Sequence, residues 1–210
     1  MGVPQVSKKR VIAYVDGFNL YFGLKNKGWK RYYWLDIVTL ILNILEPNSD
    51  LAGVKYFTSR IVSPESKRKR QANYLEAIQL AASPQIFYGK YQFETLYCSN
   101  CSYQENIPKE KMTDVNIAVE MVVDAFQNRF DTALLISGDS DLTPPVKTIR
   151  RIFPEKRVLV AFPPDRHSKD LEHAATASFT LSRTKLRDAQ LPSEIIKPDG
   201  YVLKRPESWR

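Results

Sequence analysis

The sequence predicts an α/β fold with a mainly parallel central sheet. Short apolar runs rich in β-branched residues recur along the chain, and stretches with helical spacing of apolar residues separate them. Strands that alternate with helices in this way are typical of parallel sheets covered by helices on both faces. We expect five such strands, at about Val11–Val15, Val54–Val62, Gln85–Phe93, Thr132–Ile136 and Arg157–Phe162.

Helices are predicted between these strands. Apolar residues recur at helical spacing within Leu35–Leu45 and, more loosely, within Ser66–Ala82. Thr113–Phe126 has the clearest pattern, and we expect Thr113 to be its N-cap, which places Asp114 in the first turn. Further helical segments are expected at about 139–152 and within 169–181, the latter together with a short strand.

The domain organisation is predicted from length and composition. The chain has 210 residues, of which 43% are hydrophobic, so it can build one substantial core. We expect one domain over residues 1–190, interrupted by an irregular insert at about 94–111. Residues 191–210 contain three prolines and are expected to form an extended C-terminal arm.

The charge balance narrows the class of partner. A net charge of +8 favours a polyanion, with nucleic acid the first candidate. No apolar stretch approaches the roughly 20 residues of a membrane span, and the N-terminal residues lack the apolar core of a signal peptide. We therefore expect a soluble cytoplasmic protein that does not bind membranes, with Cys98 and Cys101 reduced.

Four carboxylates lie where this fold would bring them together. Asp16 follows the first strand, Asp139 and Asp141 follow the fourth, and Asp114 opens a helix. Loops at the carboxyl ends of parallel strands line the ligand crevice of such sheets, so Asp16 and Asp139 meet if their strands are neighbours. Like charges at close range repel, and a divalent cation relieves that repulsion. Oxygen ligands without imidazole or thiolate suit Mg²⁺ or Mn²⁺.

Each of these residues also has a purely structural interpretation. An Asp-Gly pair after a strand is commonly only a turn, and Asp139 or Ser140 could cap a helix. Asp114 could simply complement a helix dipole. The placement of all four residues together favours a site.

The same residues resemble those of a known family. The segments VDGFNLY, TDVNIAVEM and ISGDSDLTPPV, in this order, resemble the NYN domain family, which comprises PIN-like nuclease relatives that include the DUF88 and LabA-like proteins. The resemblance extends from about Val11 to Arg187. It implies a PIN-like three-layer α/β/α sandwich and metal-dependent cleavage of RNA.

The resemblance also implies roles for individual residues. Asp16 and Asp139 match the principal metal ligands, Asp114 the central acid, and Asp141 the second acid of the last motif. Further matches are Asn19, as a residue that orients a ligand, water or phosphate, and Ser137 and Ser140, as hydroxyls near the metal or phosphate. The expected reaction is hydrolysis of a phosphodiester at a centre of one or two Mg²⁺ or Mn²⁺ ions, leaving a 5′-phosphate and a 3′-hydroxyl.

Positive residues are expected beside this centre. A basic run follows the second strand and Arg166 follows the fifth, so both could contact an RNA backbone. The run consists of Lys67, Arg68, Lys69 and Arg70. A solvated helix face is the alternative for this run. Phe18, Tyr21 and Phe22 could stack bases or pack in the core.

Two further questions stay open at this level. Cys98 and Cys101 have the spacing of half a zinc site, but a structural zinc needs four ligands, so thiols in a hairpin turn are the expectation. The main alternative to a ribonuclease is a PIN-like module that binds RNA or a nucleotide without cutting it. A haloacid-dehalogenase type phosphatase would carry its Asp-x-Asp pair after the first strand, not the fourth. Dimerisation would lengthen an RNA groove, so a homodimer is also compatible with the sequence.

Overall fold

A six-stranded parallel sheet lies at the centre of the protein. The computed structural model describes residues 8–97, 100–101 and 103–210. Every pair of neighbouring strands in the sheet is parallel, so the predicted α/β fold with a mainly parallel sheet is confirmed. In spatial order the strands are β3 (Gln85–Tyr88), β2 (Ser49–Thr58), β1 (Lys9–Asp16), β6 (Thr132–Ile136), β7 (Arg157–Phe162) and β8 (Ala177–Thr180). Strand β8 makes the count six instead of the expected five.

Helices cover both faces of the sheet. In chain order they are α1 (Gly17–Asn26), α2 (Ile37–Leu42), α3 (Glu65–Ala82), α4 (Thr113–Phe126), α5 (Thr143–Ile152), α6 (Lys169–Ala174) and α7 (Arg183–Arg187). Alternate residues of β1 point to opposite faces, because side chains alternate along a strand. Ala13 and Val15 therefore pack with α1, α2 and α3, while Ile12 and Tyr14 pack with α4, α5 and α6. This is the three-layer arrangement that the sequence predicts.

Helix α4 has the predicted bounds but a different N-cap residue. Met112 holds the N-cap position in the left-handed conformation, with φ of 79°, and its side chain makes no capping hydrogen bond. Thr113, which we expected to be the cap, is instead the first helical residue, and its hydroxyl donates to Glu110. The expectation was wrong because a carboxylate three residues earlier takes up the threonine hydroxyl.

The insert predicted to be irregular is a β-hairpin. Strands β4 (Lys90–Tyr97) and β5 (Gln104–Lys111) pair antiparallel, apart from the main sheet. The segment predicted as one strand over Gln85–Phe93 divides at Gly89. A Cβ at that position would lie 2.5 Å from the Ser59 hydroxyl, so only glycine fits where the chain leaves the sheet. Cys101 is exposed in the turn between the two strands, and Cys98 lies outside the described residues.

The C-terminal segment is folded against the domain instead of extended. Strands β9 (Glu194–Ile196) and β10 (Val202–Lys204) form a second hairpin, and Leu203 is buried. The Trp209 ring then packs against Tyr33 and Tyr74, with ring centroids 5.6 and 6.2 Å away. Burial of these apolar side chains overcomes the prolines that favour an open arm. In the described part of the chain, no helix has the length and hydropathy required to cross a bilayer.

Candidate active site

The two main acidic motifs follow adjacent strands. Strand β1 pairs with β6, and Val15 lies opposite Ile136, the last residue of β6. The strands are therefore neighbours, as convergence of Asp16 and Asp139 requires. From β1 the sheet continues to β2 on one side and to β6 on the other, which makes this edge a topological switch point. Ligand crevices of open parallel sheets form at such points.

Asp16 is a buried carboxylate with a defined orientation. It ends β1 and caps α1, where its Oδ1 accepts a hydrogen bond from the Asn19 backbone N–H at 2.9 Å. Its Oδ2 accepts a hydrogen bond from the Ser137 hydroxyl, also at 2.9 Å. Only 3% of Asp16 is exposed. Each oxygen therefore has one neutral donor and keeps acceptor capacity for a further ligand.

Hydrogen bonds lock the first and third motifs together. The Asn19 side-chain oxygen accepts a hydrogen bond from the Gly138 backbone N–H at 2.9 Å. The Ser137 hydroxyl, which donates to Asp16, also accepts from the Asp139 backbone N–H at 3.1 Å. Asn19 and Ser137 thus position the loop after β6, and the side-chain oxygen of Asn19, the residue expected to orient a ligand, water or phosphate, makes this contact.

The charges around Asp16 oppose its ionisation. The pKa of Asp16 is raised from its ordinary value near 3.8 to about 7, chiefly by burial and also by the negative charges of Asp114 and Asp139. The hydrogen bonds from Asn19 and Ser137 lower it, but they do not offset burial. At neutral pH the buried carboxylate is therefore poised between its two protonation states.

Asp114 belongs to the same electrostatic group. Its pKa is raised to about 6, first by burial and then by the negative charges of Asp139, Glu110 and Asp141. Helix α4 therefore presents its first turn to the edge where β1 and β6 end. Asp114 therefore interacts electrostatically with the other three predicted aspartates, which the sequence pattern could not establish.

Glu110 is an acidic neighbour that sequence reasoning missed. Its Oε1 accepts hydrogen bonds from the Ser59 hydroxyl at 3.0 Å and the Thr113 backbone N–H at 3.3 Å. It lies on β5, so the hairpin supplies a carboxylate to the edge of the site. The available signal was its position four residues before Asp114, which is weak because acids are common next to helix starts.

The acidic group offers the ligands that a hard divalent cation prefers. All five of its charged members are carboxylates, and Mg²⁺ and Mn²⁺ favour such oxygen donors. Asp139 is half-buried, and its Oδ1 accepts from the Asp141 N–H at 3.0 Å; Ser140 and Asp141 are exposed. Among the described residues, no three His, Cys, Asp or Glu side chains lie close enough together to hold a metal ion. Repulsion keeps such carboxylates apart, and a cation reverses it.

The predicted basic run divides into two pairs. Lys67 and Arg70 line a cavity beside the acidic group. Arg68 and Lys69 do not line it and instead pair with Glu65, at 3.8 and 2.9 Å. The division follows from helical geometry, because residues three apart share a face of α3 and their neighbours do not.

Arg166 lies against the loop of the third motif. A Cβ at Gly138 would come within 2.9 Å of the Arg166 Cβ, so glycine permits this close packing. The guanidinium carbon lies 5.9 Å from the centroid of the Phe22 ring. The backbone and Cβ of Arg166 are therefore next to the loop of the third motif, and its guanidinium lies near α1.

The cavity has a volume of about 270 Å³ and adjoins Asp16. Gly17 and Phe18, the first residues of α1, lie in its wall with the Tyr56 ring. A Cβ at Gly17 would be 2.5 Å from the Tyr56 hydroxyl, so the strand and helix meet here without space for a side chain. Burial raises the pKa of Tyr56, and the negative charge of Asp16 adds to this effect. The cavity and the acidic group are thus electrostatically coupled.

Comparison with known proteins supports the family resemblance. A family model described as "NYN domain" matches residues 10–183. A curated relative is 6-hydroxy-3-succinoylpyridine 3-monooxygenase HspA from Pseudomonas putida strain S16 (DSM 28022). It is 24% identical over an alignment of 239 residues that covers 95% of this chain and 75% of that protein.

A solved structure supports the fold. The crystal structure of a protein of unknown function, VPA0982, from Vibrio parahaemolyticus RIMD 2210633 is similar with a TM-score of 0.55 at 16% identity. The similarity covers 90% of this chain and all of that one. The family match over most of the sequence confirms the predicted resemblance: the chain belongs to the NYN domain family, whose members have a nuclease-like PIN fold.

Proposed function

We propose that this protein is a metal-dependent ribonuclease that hydrolyses RNA phosphodiester bonds at the acidic group between β1 and β6. One observation carries the proposal: in the described part of the chain the buried Asp16 carboxylate receives hydrogen bonds from neutral donors only, while the charges that raise its pKa are two further carboxylates. Such a group gains stability from an added cation. Membership of a family of nuclease-like domains supports the reaction class.

The residues have distinct roles in this proposal. Asp16 and Asp139 hold Mg²⁺ or Mn²⁺ directly, and Asp114 and Asp141 complete the acidic surroundings. The bound cation supplies the positive charge that activates water and stabilises the scissile phosphate. Ser137 and Asn19 keep Asp16 and the loop at Asp139 in place through the hydrogen bonds described above, so the ligands need little rearrangement.

Positive side chains on both sides of the acidic group receive the RNA backbone. Arg166 lies beside the third motif, and Lys67 and Arg70 lie beside the cavity next to the first motif. Each neutralised phosphate contributes affinity that weakens with added salt. The substrate is therefore expected to pass from α3 across the acidic edge to Arg166.

A second candidate function is binding of RNA or a nucleotide without cleavage. The aromatic cavity beside Asp16 favours it, because it provides a binding surface that needs no chemistry. The two functions differ in their need for the metal ligand: binding alone does not require Asp139, whereas hydrolysis does.

Cleavage of a labelled single-stranded RNA pool, with Mn²⁺ or with chelator, tests the proposed function. We expect cleavage only with the metal, and a loss of about 100-fold or more in Asp139→Asn, because one group that stabilises developing charge is removed. Asp50→Asn is the matched control, since Asp50 is exposed near the start of β2, on the side of the sheet where the parallel strands begin and away from their carboxyl ends. Equal cleavage by the Asp139→Asn and Asp50→Asn variants would exclude the proposed centre.

A further inference from the structure

Aromatic rings form a large part of the wall of the cavity beside Asp16. Most of them come from α1, β2, α3, the β4–β5 hairpin and the C-terminal segment. They include Phe18, Tyr21, Tyr56, Tyr74, Tyr91 and Trp209. Several contact one another edge to face, as Phe18 and Tyr91 do at a centroid separation of 6.2 Å. Such contacts hold the rings in fixed positions, so flat apolar faces are available before any ligand arrives.

Tyrosine hydroxyls bring polar groups to the wall of the cavity. Tyr74 donates its hydroxyl to the Leu35 carbonyl at 3.0 Å. Tyr56, a residue only 6% exposed, lies in the same wall. A tyrosine hydroxyl can donate and accept hydrogen bonds, so it can contact a polar ligand atom.

Positive charge is concentrated on one side of the cavity. Lys25, Lys67 and Arg70 line it. Burial raises the pKa of Tyr21, and the positive charge of Arg70 opposes part of that rise, so the guanidinium acts on the aromatic wall. An aromatic site with cationic groups at its side is complementary to a planar ring that carries an anionic group.

We propose that this cavity binds one unpaired nucleobase of a single-stranded RNA, with an adjacent phosphate held by Lys67 and Arg70. This inference rests on the proposed function and defines its substrate as single-stranded. The volume of about 270 Å³ lies just below the range of roughly 300–1,000 Å³ for small-molecule sites, so it suits one ring system and not a run of bases. A base stacked in a duplex cannot enter a closed pocket unless it leaves the helix.

Binding measured without divalent metal tests the inference separately from cleavage. A fluorescent ten-nucleotide RNA is titrated with the protein in chelator, as a single strand and annealed to its complement. We expect tighter binding of the single strand, and displacement by AMP but not by ribose 5-phosphate, which differs only in lacking the base. Equal binding of both RNA forms, no binding of the single strand, or equal competition by both small molecules would overturn the inference.

Two matched pairs of variants locate the base and the phosphate. Tyr91→Ala removes an aromatic wall, and we expect about fivefold or more weaker binding of the single strand, the loss typical of one stacking ring. Tyr97→Ala is its control, because Tyr97 is 70% exposed on the same strand and does not line the cavity.

The second pair consists of double variants with the same change in charge. Lys67→Ala with Arg70→Ala should weaken binding more than Arg68→Ala with Lys69→Ala, since only the first pair lines the cavity. Equal effects within either pair would contradict the cavity as the binding site. RNA that binds as expected but is not cut with Mn²⁺ would refute only the proposed ribonuclease, whereas cleavage without these binding differences would refute only the cavity.

Discussion

Two buried aspartates near the two ends of helix α4 are balanced in different ways. Asp124, in its last turn, is completely buried and accepts hydrogen bonds from Lys55 at 2.6 Å, Arg129 at 3.1 Å and the Tyr14 hydroxyl at 2.6 Å. Asp16, near the first turn of α4, has only two donors among the described residues, the Asn19 N–H and the Ser137 hydroxyl, with other carboxylates nearby. One charge is neutralised by the protein and the other is not.

This difference distinguishes a structural ion pair from a binding site. The Lys55 side chain is 8% exposed and contacts both Asp124 and Glu120, so its charge is satisfied within the fold. Among the described residues no cation pairs with Asp16, and burial together with the charges of neighbouring carboxylates raises its pKa. Buried charge without a partner costs free energy, and retaining it suggests an external partner.

The largest expected effect concerns the neutralised group. Lys55→Ala leaves Asp124 with only its exposed cationic partner, and we expect the free energy of unfolding to fall by about 3–5 kcal/mol, as when a buried pair loses one member. Urea unfolding measures this change. Arg129→Ala is the control, since Arg129 is 54% exposed and its loss should cost about 1 kcal/mol or less. A smaller loss for Lys55→Ala than for Arg129→Ala would contradict this account of the ion pair.

The opposite sign is expected at Asp16. Asp16→Asn removes the uncompensated charge, so in chelator at about pH 8 the free energy of unfolding should rise, by up to about 4 kcal/mol from a pKa shift from 3.8 to about 7. RNA cleavage should be lost in the same variant. Asp124→Asn, in contrast, should destabilise the protein because it leaves Lys55 incompletely paired.

The pH dependence of this effect follows from the direction of the shift. As pH rises from about 4 to about 7, the unfolded chain loses the Asp16 proton while the folded chain retains it. The free energy of unfolding therefore falls across this window and levels off above the folded pKa. The advantage of Asp16→Asn should be small at pH 4 and greatest above pH 7; the same advantage at both pH values would contradict the assignment.

A bound divalent cation should remove the same free-energy cost of the uncompensated Asp16 charge. We expect Mn²⁺ at about 100 times its dissociation constant to raise the free energy of unfolding by about 2.7 kcal/mol at pH 8. The increase should be smaller at pH 5, below the pKa values of about 7 and 6 for Asp16 and Asp114, because protons compete with the metal. Thermal unfolding with Mn²⁺ or chelator measures both. Stabilisation that persists in Asp16→Asn would show that Mn²⁺ binds elsewhere.

The smallest effect concerns the residue that positions Asp16. Ser137→Ala removes the hydroxyl that joins Asp16 to the Asp139 loop, and we expect roughly 10-fold weaker Mn²⁺ binding, at the lower end for a residue supporting a metal ligand. Mn²⁺ titration followed by thermal unfolding measures the affinity. Ser140→Ala provides the comparison, since Ser140 is exposed and should matter less. An equal loss in both variants would contradict the positioning role of Ser137.

Much of the architecture and the acidic residues could be predicted from local patterns. The run Thr132–Ile136 is apolar after Thr132 because every residue of β6 is buried, and the structure gives this strand the predicted bounds. Asp16 and Asp139 stood out because each follows such a strand, where parallel sheets place their ligands. These predictions depended on residues close together in sequence.

Other features depended on contacts between distant segments. Glu110 joins the acidic group only because the β4–β5 hairpin brings it to Ser59, and nothing in its local pattern distinguishes it. The Thr113 cap was predicted wrongly for a local reason, since its hydroxyl donates to Glu110 three residues earlier. Trp209 packs against Tyr33 and Tyr74, so the expected extended arm became part of the cavity wall.

The sequence by itself determined the order of strands and helices, the family and the identity of the main acids, because periodicity and turn residues act locally. Only the tertiary structure decided which charges are neutralised within the protein and which are not. Charge compensation depends on distances between segments up to 121 residues apart, such as Ser137 and Asp16. That is why Asp16 and Asp124, which are the same residue type, differ so much in whether the fold neutralises their charge.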